Sequence, residues 1–309
     1  MSKTFSTLRL VLTALALLAA AAHAQIALRL TAEKPRYLRY EPIPLTLQVT
    51  NLSGNTLSFG ADMPRERNRG SIAFKVEASG GRNVAQFTLM DNPANGLKLG
   101  PGQTRELRIV INQFYEMQKE DKYAITAYLS HPRLPAIHLS KPVHVEVYDG
   151  MPLLVQTIGM PSKSDTDLIK TLKLTLMRFP DVEQDIYYLR VEDNENVYAS
   201  FRLGDYIDGE KPQMEIDGPN LVHLLLQLRP KLFVYYIMGF DGYSLKMRQK
   251  RFYKSSDGLP PTLSRATGYL RIEHARPAIE GVDYLEPDSD KTPPQPPQGQ
   301  HQAPPQARP

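Results

Sequence analysis

Apolar and polar residues alternate with a period of two in short runs over residues 25–148. Leu45, Leu47 and Val49 alternate with Thr46, Gln48 and Thr50 until Asn51-Leu52-Ser53-Gly54-Asn55 stops the run. Ile72, Phe74 and Val76 repeat the pattern, and Leu107, Ile109 and Ile111 take it up again after Gly100-Pro101-Gly102. Tyr123, Ile125, Ala127 and Leu129 continue it, and Val143, Val145 and Val147 close it. Successive side chains of a strand point to opposite faces, so each run predicts a strand with one buried face. About seven such strands, bounded by turn residues and without a long 3.6-period segment, predict two stacked antiparallel sheets.

Asp149-Gly150-Met151-Pro152 marks a boundary, beyond which residues 150–279 predict a second β-rich domain. Leu172, Leu174 and Leu176 alternate with polar neighbours. Ile186–Val191 and Val197–Leu203 flank the turn formers Asp193-Asn194-Glu195-Asn196, which predicts a hairpin. Leu221–Leu228 is apolar enough to be a strand or a buried helix, and it breaks at Pro230. Leu232–Phe240, Asp241-Gly242 and Tyr243–Tyr253 predict a second hairpin, and Tyr269–Ile272 a last strand.

The two ends differ in kind from the middle. Lys3 and Arg9 precede an uninterrupted apolar stretch, Leu10–Ala22, and Ala22-His23-Ala24 offers small residues for cleavage before Gln25. Residues 1–24 therefore predict a signal peptide, too short in its apolar part to span a bilayer. Residues 280–309 predict a disordered tail rich in Pro and Gln, the change in composition being complete from Glu286. The chain of 309 residues has no cysteine, which excludes disulfides, thiolate chemistry and a cysteine-linked lipid anchor. Loss of the leader lowers the formal charge from +4 to +2, too little to point to nucleic acid. The expected location is outside the cytoplasm, periplasmic or secreted, without stable membrane insertion.

Three segments carry a resemblance. Tyr40-Glu41-Pro42-Ile43-Pro44-Leu45-Thr46-Leu47-Gln48-Val49-Thr50-Asn51 resembles the second strand of bacterial Ig-like domains. Leu99-Gly100-Pro101-Gly102-Gln103-Thr104 is similar to the entry to a later strand of those domains, and Tyr123–Tyr128 to its partner. The resemblance covers about 110 residues and implies that residues 25–149 form an Ig-like antiparallel sandwich of the kind found in exported bacterial proteins and in bacterial proteinase inhibitors. It implies no ligand.

Candidate chemistry is sparse. His131, His138 and His144 fall near the last strands of the first domain; Val143 and Val145 take the inward parity, which turns His138 and His144 toward solvent, and no third metal ligand accompanies them. His223 sits in an apolar run, as a hydrogen-bonded core histidine does. Asp181, Glu183 and Asp185 have the spacing of a calcium loop, but Ile186 stands where that loop needs glycine. With Asp205, Asp208 and Glu210 they are either solvated turn acids or the acid and base of a glycan hydrolase. Lys246, Arg248, Lys250, Arg251 and Lys254 form the dense basic run, its even-numbered members on one side of a strand. They fit an anion-binding face or a charged edge that discourages aggregation. Tyr187/Tyr188 and Tyr235/Tyr236 each predict one ring inward and one outward, where an outward ring could stack on a sugar or peptide.

No serine-nucleophile, phosphate-loop or zinc-protease motif occurs, and no cofactor is expected. The expectation is an all-β, exported, non-catalytic binding or interaction protein of the cell envelope, with an envelope protein or cell-wall polymer as partner. A glycan-directed hydrolase working through the second domain's carboxylates, or a proteinase inhibitor working through an Ig-like loop, is the alternative.

Overall fold

The computed structural model describes residues 25–60, 70–161, 169–242 and 244–285; the predicted signal peptide and residues 286–309 of the predicted tail lie outside the described residues. The chain divides into two compact units, Met1–Asp149 and Gly150–Pro309. Both are all-β.

Unit 1 contains β1 (Ile26–Ala32), β2 (Arg36–Leu38), β3 (Pro44–Asn51), β4 (Leu57–Ser58), β5 (Ser71–Ala78), β6 (Arg82–Asn83), β7 (Lys98–Leu99), β8 (Thr104–Val110), β9 (Asp121–Ser130), β10 (His138–Leu139) and β11 (Val143–Tyr148). One sheet has the order β1-β3-β8, the other β2-β11-β9-β5-β6 with β10 also on β9, and β4 pairs with β7. The inward residues of the alternating runs meet between the two main sheets: Leu45, Leu47 and Val49 from β3, Ile109 from β8, Ile72 and Val76 from β5, Ile125 and Ala127 from β9. Each fully buried aliphatic side chain of this kind stabilises by about 1.5–3 kcal/mol, so the period-two pattern specifies which face turns inward. One pairing departs from the antiparallel expectation: β2 runs parallel to β11.

Asn51 ends β3 and is wholly buried. Its side-chain amide donates to the carbonyls of Asn55 (2.8 Å) and Leu99 (2.9 Å), and its oxygen accepts from Ser53 N–H (2.9 Å) and the Ser53 hydroxyl (2.7 Å). One side chain thus ties the end of β3 to the β7 end of the neighbouring loop. The turn before β8 places Pro101 ahead of Gly102 at φ +73°, and Gln103 N–H closes it on Gly100 O at 3.1 Å; only a residue tolerant of positive φ suits that position.

Unit 2 contains β12 (Met151–Pro161), β13 (Ile169–Phe179), β14 (Ile186–Glu192), β15 (Val197–Asp205), β16 (Gln213–Ile216), β17 (Val222–Arg229), β18 (Leu232–Phe240), β19 (Leu245–Ser255), β20 (Thr262–Ser264), β21 (Arg271–Glu273) and β22 (Ala275–Pro277). The sheets β12-β13-β14-β15 and β16-β17-β18-β19-β22 pair neighbours in sequence until β22. They face one another across Leu174, Leu176, Tyr187, Leu189, Val222, Leu224, Val234 and Tyr236, among others. The β20–β21 hairpin lies over the second sheet's other face, where Leu263 and Ile272 pack on Leu225, Phe233 and Tyr235.

Four expectations are refined here. The Leu221–Leu228 run forms a strand, β17, not a helix, because Pro230 and Lys231 (φ +64°) make the turn that pairs it with β18. The second hairpin pairs Phe240 with Leu245, where its return strand β19 begins; Tyr243, the expected start, lies outside the described residues. Tyr269 stays outside the last hairpin and is 75% exposed; the strand starts at Arg271. Residues 280–285 belong to the fold and not to a tail: Asp283 is held by Lys254 (2.9 Å) and Arg276 (3.0 Å), and the Tyr284 ring packs on Phe252 at 4.2 Å.

Candidate functional site

The basic run lies on β19, between β18 and β22 in the second sheet. β22 pairs only with Tyr253–Ser255, so from Leu245 to Arg251 the outer edge of β19 has no partner strand among the described residues. The chain leaves this ladder just past β22, where Ala278 N–H donates to Phe252 O at 2.9 Å. A cleft of about 460 Å³ marks the place, lined by Lys250, Arg251, Phe252, Tyr253, Pro277, Ala278 and Tyr284.

The even-numbered bases do not share a side. Ile237 pairs with Gln249 and Met238 with Met247, which leaves Arg248 as the extra residue of a β-bulge. Lys250 lies opposite Tyr236 and Arg251 opposite Tyr235, whose rings belong to opposite faces of the sheet. Lys246, opposite Gly239, therefore shares the face of Arg251, while Lys250 takes the other. Arg248 lies over Gly239, since a β-carbon added to that glycine would come within 3.0 Å of the Arg248 Nε. Lys246 is paired with Asp241 at 2.8 Å, Lys254 with Asp283, and Lys250 rests over the Phe252 ring at 5.0 Å. Parity counted along one strand misses a bulge, because the extra residue is defined by the partner's register.

The tyrosine pairs alternate between faces as expected, but neither outward ring is open. Tyr187 and Tyr188 are 0% and 1% exposed, Tyr235 and Tyr236 8% and 4%, so no member of either pair offers a platform to a sugar. Tyr188 stands edge-on to Phe179 at 5.8 Å, and Tyr235 lies beneath the β20–β21 hairpin. Burial pushes the phenols of Tyr187 and Tyr235 up to about 12, so both are protonated at neutral pH.

Tyr235 instead completes a relay that the sequence reading missed. Its hydroxyl donates to His223 Nδ1, and His223 Nε2–H donates to Asp217 Oδ2 at 3.1 Å. Asp217 also accepts Leu221 N–H at 2.7 Å, which seats the turn into β17. A hairpin centred on Pro230-Lys231 sets His223 opposite Ile237, on the same face as Tyr235, so the hairpin register held the signal.

The carboxylate loops do meet. Asp205 lies opposite Ile186, and Tyr206 N–H donates to Asp185 O at 2.7 Å. Between them, Arg178 binds the Asp185 carboxylate and lies over the Tyr206 ring at 4.5 Å. Asp205 reaches Arg202 at 3.6 Å, while Asp181 accepts the adjacent Val182 N–H at 2.8 Å. Glu183, Asp208 and Glu210 are exposed. These contacts make a loop clamp in which the central side chain is a cation.

The histidines of unit 1 do not converge on a metal, and no group of three or more His, Asp or Glu side chains suited to a metal ion occurs among the described residues. β10 and β11 both lie on β9, interrupted at residues 140–142. His144 is exposed, but His138 is half-buried rather than turned to solvent. His131 is 3% exposed; it bonds Ser58 O through Nε2 (3.1 Å) and accepts Arg133 N–H at Nδ1 (3.1 Å).

No family model matches the chain, and no curated protein matches it. Among solved structures, Spo0M, the sporulation control protein from Bacillus subtilis, is similar at 9% identity and a TM-score of 0.27, over 59% of this chain and 91% of that one. A likeness at that level assigns neither family nor activity.

Proposed function

We propose that this chain is an exported, non-catalytic binding protein of the cell envelope, in which unit 1 is an Ig-like scaffold and unit 2 carries the binding surface. The observation that carries the proposal is the open, cation-lined edge of β19 ending at an aromatic cleft. A strand edge left unpaired is a ready template for another chain, and this one runs from Leu245 to Arg251 with no partner strand among the described residues. The Ig-like assignment of unit 1 is supported by the two sheets β1-β3-β8 and β11-β9-β5 and by β2 joining β11 in parallel. The apolar stretch at residues 10–22 supports export.

The carboxylate loops favour a glycan hydrolase through their proximity alone. Arg178 opposes it, because the carboxylate it binds is committed to an ion pair. The test is capture from a cell-envelope fraction on the immobilised full chain, alongside a double variant Arg248→Glu/Arg251→Glu. Saturable capture of one protein or wall polymer, lost in the variant, is the expected result. Equal capture by both forms, or turnover of a glycan that Asp185→Asn abolishes, overturns the proposal.

A further inference from the structure

We propose that Glu286, Asp288 and Asp290, which follow the last described residue, pair with Arg248 and Arg251, so that the chain's own C-terminal segment covers the open edge of β19 until a partner displaces it. The contact stands by itself; its effect on a partner rests on the binding role proposed above.

The chain returns to β19 after leaving the ladder at Ala278. Asp283 closes the turn by accepting Ile279 N–H at 3.0 Å, and its carboxylate takes Lys254 at 2.9 Å and Arg276 at 3.0 Å. Tyr284 then packs on Phe252 at 4.2 Å, so successive contacts step along β19 toward Leu245. Leu285, 74% exposed, is the last described residue. The run that follows, Glu286-Pro287-Asp288-Ser289-Asp290, spans about 17 Å when extended, and Arg248 lies about 13 Å along the strand from Phe252. The acids therefore reach both arginines.

Alternate residues of an extended segment share a face, so the three acids form one negative row. The bulge supplies the matching row on β19. Residues three apart on a regular strand point to opposite faces, but the extra residue brings Arg248 and Arg251 to the same one. Arg251 lies opposite Tyr235, and Arg248 lies over Gly239, where no side chain stands in its way. Both arginines are exposed and neither makes an ion pair among the described residues, whereas Lys246 and Lys254 are taken by Asp241 and Asp283. Pro287 has no N–H to give to a ladder, so charge pairing and not strand addition holds the segment. Exposed ion pairs are weak, but so short a tether keeps the acids at an effective concentration of about millimolar.

The test uses the full chain with one nitroxide label at Ser289→Cys, a unique site because the chain has no cysteine. At low salt the label should be immobilised. About 1 M NaCl, Glu286→Gln/Asp288→Asn/Asp290→Asn, or Arg248→Glu/Arg251→Glu should each release it. Adding Asp288→Arg/Asp290→Arg to the arginine-reversed chain should restore immobilisation, which a general loss of fold does not do. A label that is mobile in the parent, or still held after the arginine reversal, overturns the contact. Release on dilution overturns it too, because the segment then docks on a second copy. In the envelope capture, the neutralised segment should raise affinity about fivefold, the combined effect of two exposed pairs. Unchanged capture overturns the covering of the binding edge even where the label is held. No capture by any form rejects the binding role and leaves the contact standing.

Discussion

Replacing Tyr235 with phenylalanine removes one oxygen and leaves the packing of its ring in place. The ring still stacks edge-on against Tyr253, 6.2 Å away, and still contacts Leu225 and Phe233. The lost hydroxyl is the donor to His223 Nδ1, and the Asp217 carboxylate at Nε2 keeps the imidazole proton on the far nitrogen. His223 is only 7% exposed, so Nδ1 becomes an acceptor that water reaches poorly. Leaving such a group unsatisfied costs about 1–3 kcal/mol, and we expect Tyr235→Phe to destabilise unit 2 by about 1–2 kcal/mol. For a unit of this size each kcal/mol shifts the melting midpoint by about 2–4 °C. Urea unfolding followed by far-UV circular dichroism should show a lower midpoint at an unchanged slope. In a His223→Leu background the same substitution orphans nothing, so its cost should fall by about 1 kcal/mol. A cost below about 0.3 kcal/mol, or one that is identical in both backgrounds, refutes the relay as a stabilising element.

Asn51→Ala removes four hydrogen bonds, the Ser53 hydroxyl and Asn55 O keeping their mutual contact at 3.2 Å, and should destabilise unit 1 by about 2–3 kcal/mol; a urea midpoint within error of the parent would refute it. Burial is the largest cause of His131's lowered pKa, the Ser58 bond opposing it and Arg133 reinforcing it. The unfolded chain therefore binds a proton near pH 6.5 that the folded chain refuses, and stability is lost as pH falls below about 6.5. His131→Gln should flatten that loss between pH 7 and 5 in paired denaturation curves, and an unchanged slope contradicts the assignment. Burial works against ionisation of Asp193, but Lys170, Tyr198 and the N–H groups of Glu195 and Asn196 outweigh it and hold the carboxyl far below its usual range. Asp193→Asn should cost about 1–2 kcal/mol at pH 7, and the gap should close as pH falls through about 4 toward 2; a gap independent of pH argues against the carboxylate's role.

The strands were legible where burial is one-sided, because a period of two has one physical cause. β3, β5, β9 and β11 stand where their runs place them, and the asparagine that ends the β3 run proves to be a four-bond clasp. What escaped depended on a third layer or on a partner strand. The tyrosine pairs obey alternation, yet their outward rings are buried, and for Tyr235 the cover is a hairpin later in the chain. The basic run was visible as composition, but the bulge that divides it exists only in the register with β18. β2 is three residues long and carries too little pattern to reveal its parallel partner.

That parallel pairing bears on the order in which the molecule is assembled. Arg36 on β2 meets Glu146 at 3.0 Å across 110 positions of chain, whereas the strands of unit 2 mostly pair with the one before. Rates of folding fall as contacting residues lie further apart in sequence. A nascent chain can close each hairpin of its second half as soon as it is made. Unit 1 has to hold β2 unfinished until β11, its final strand, arrives, so one of its first strands is among the last to be completed.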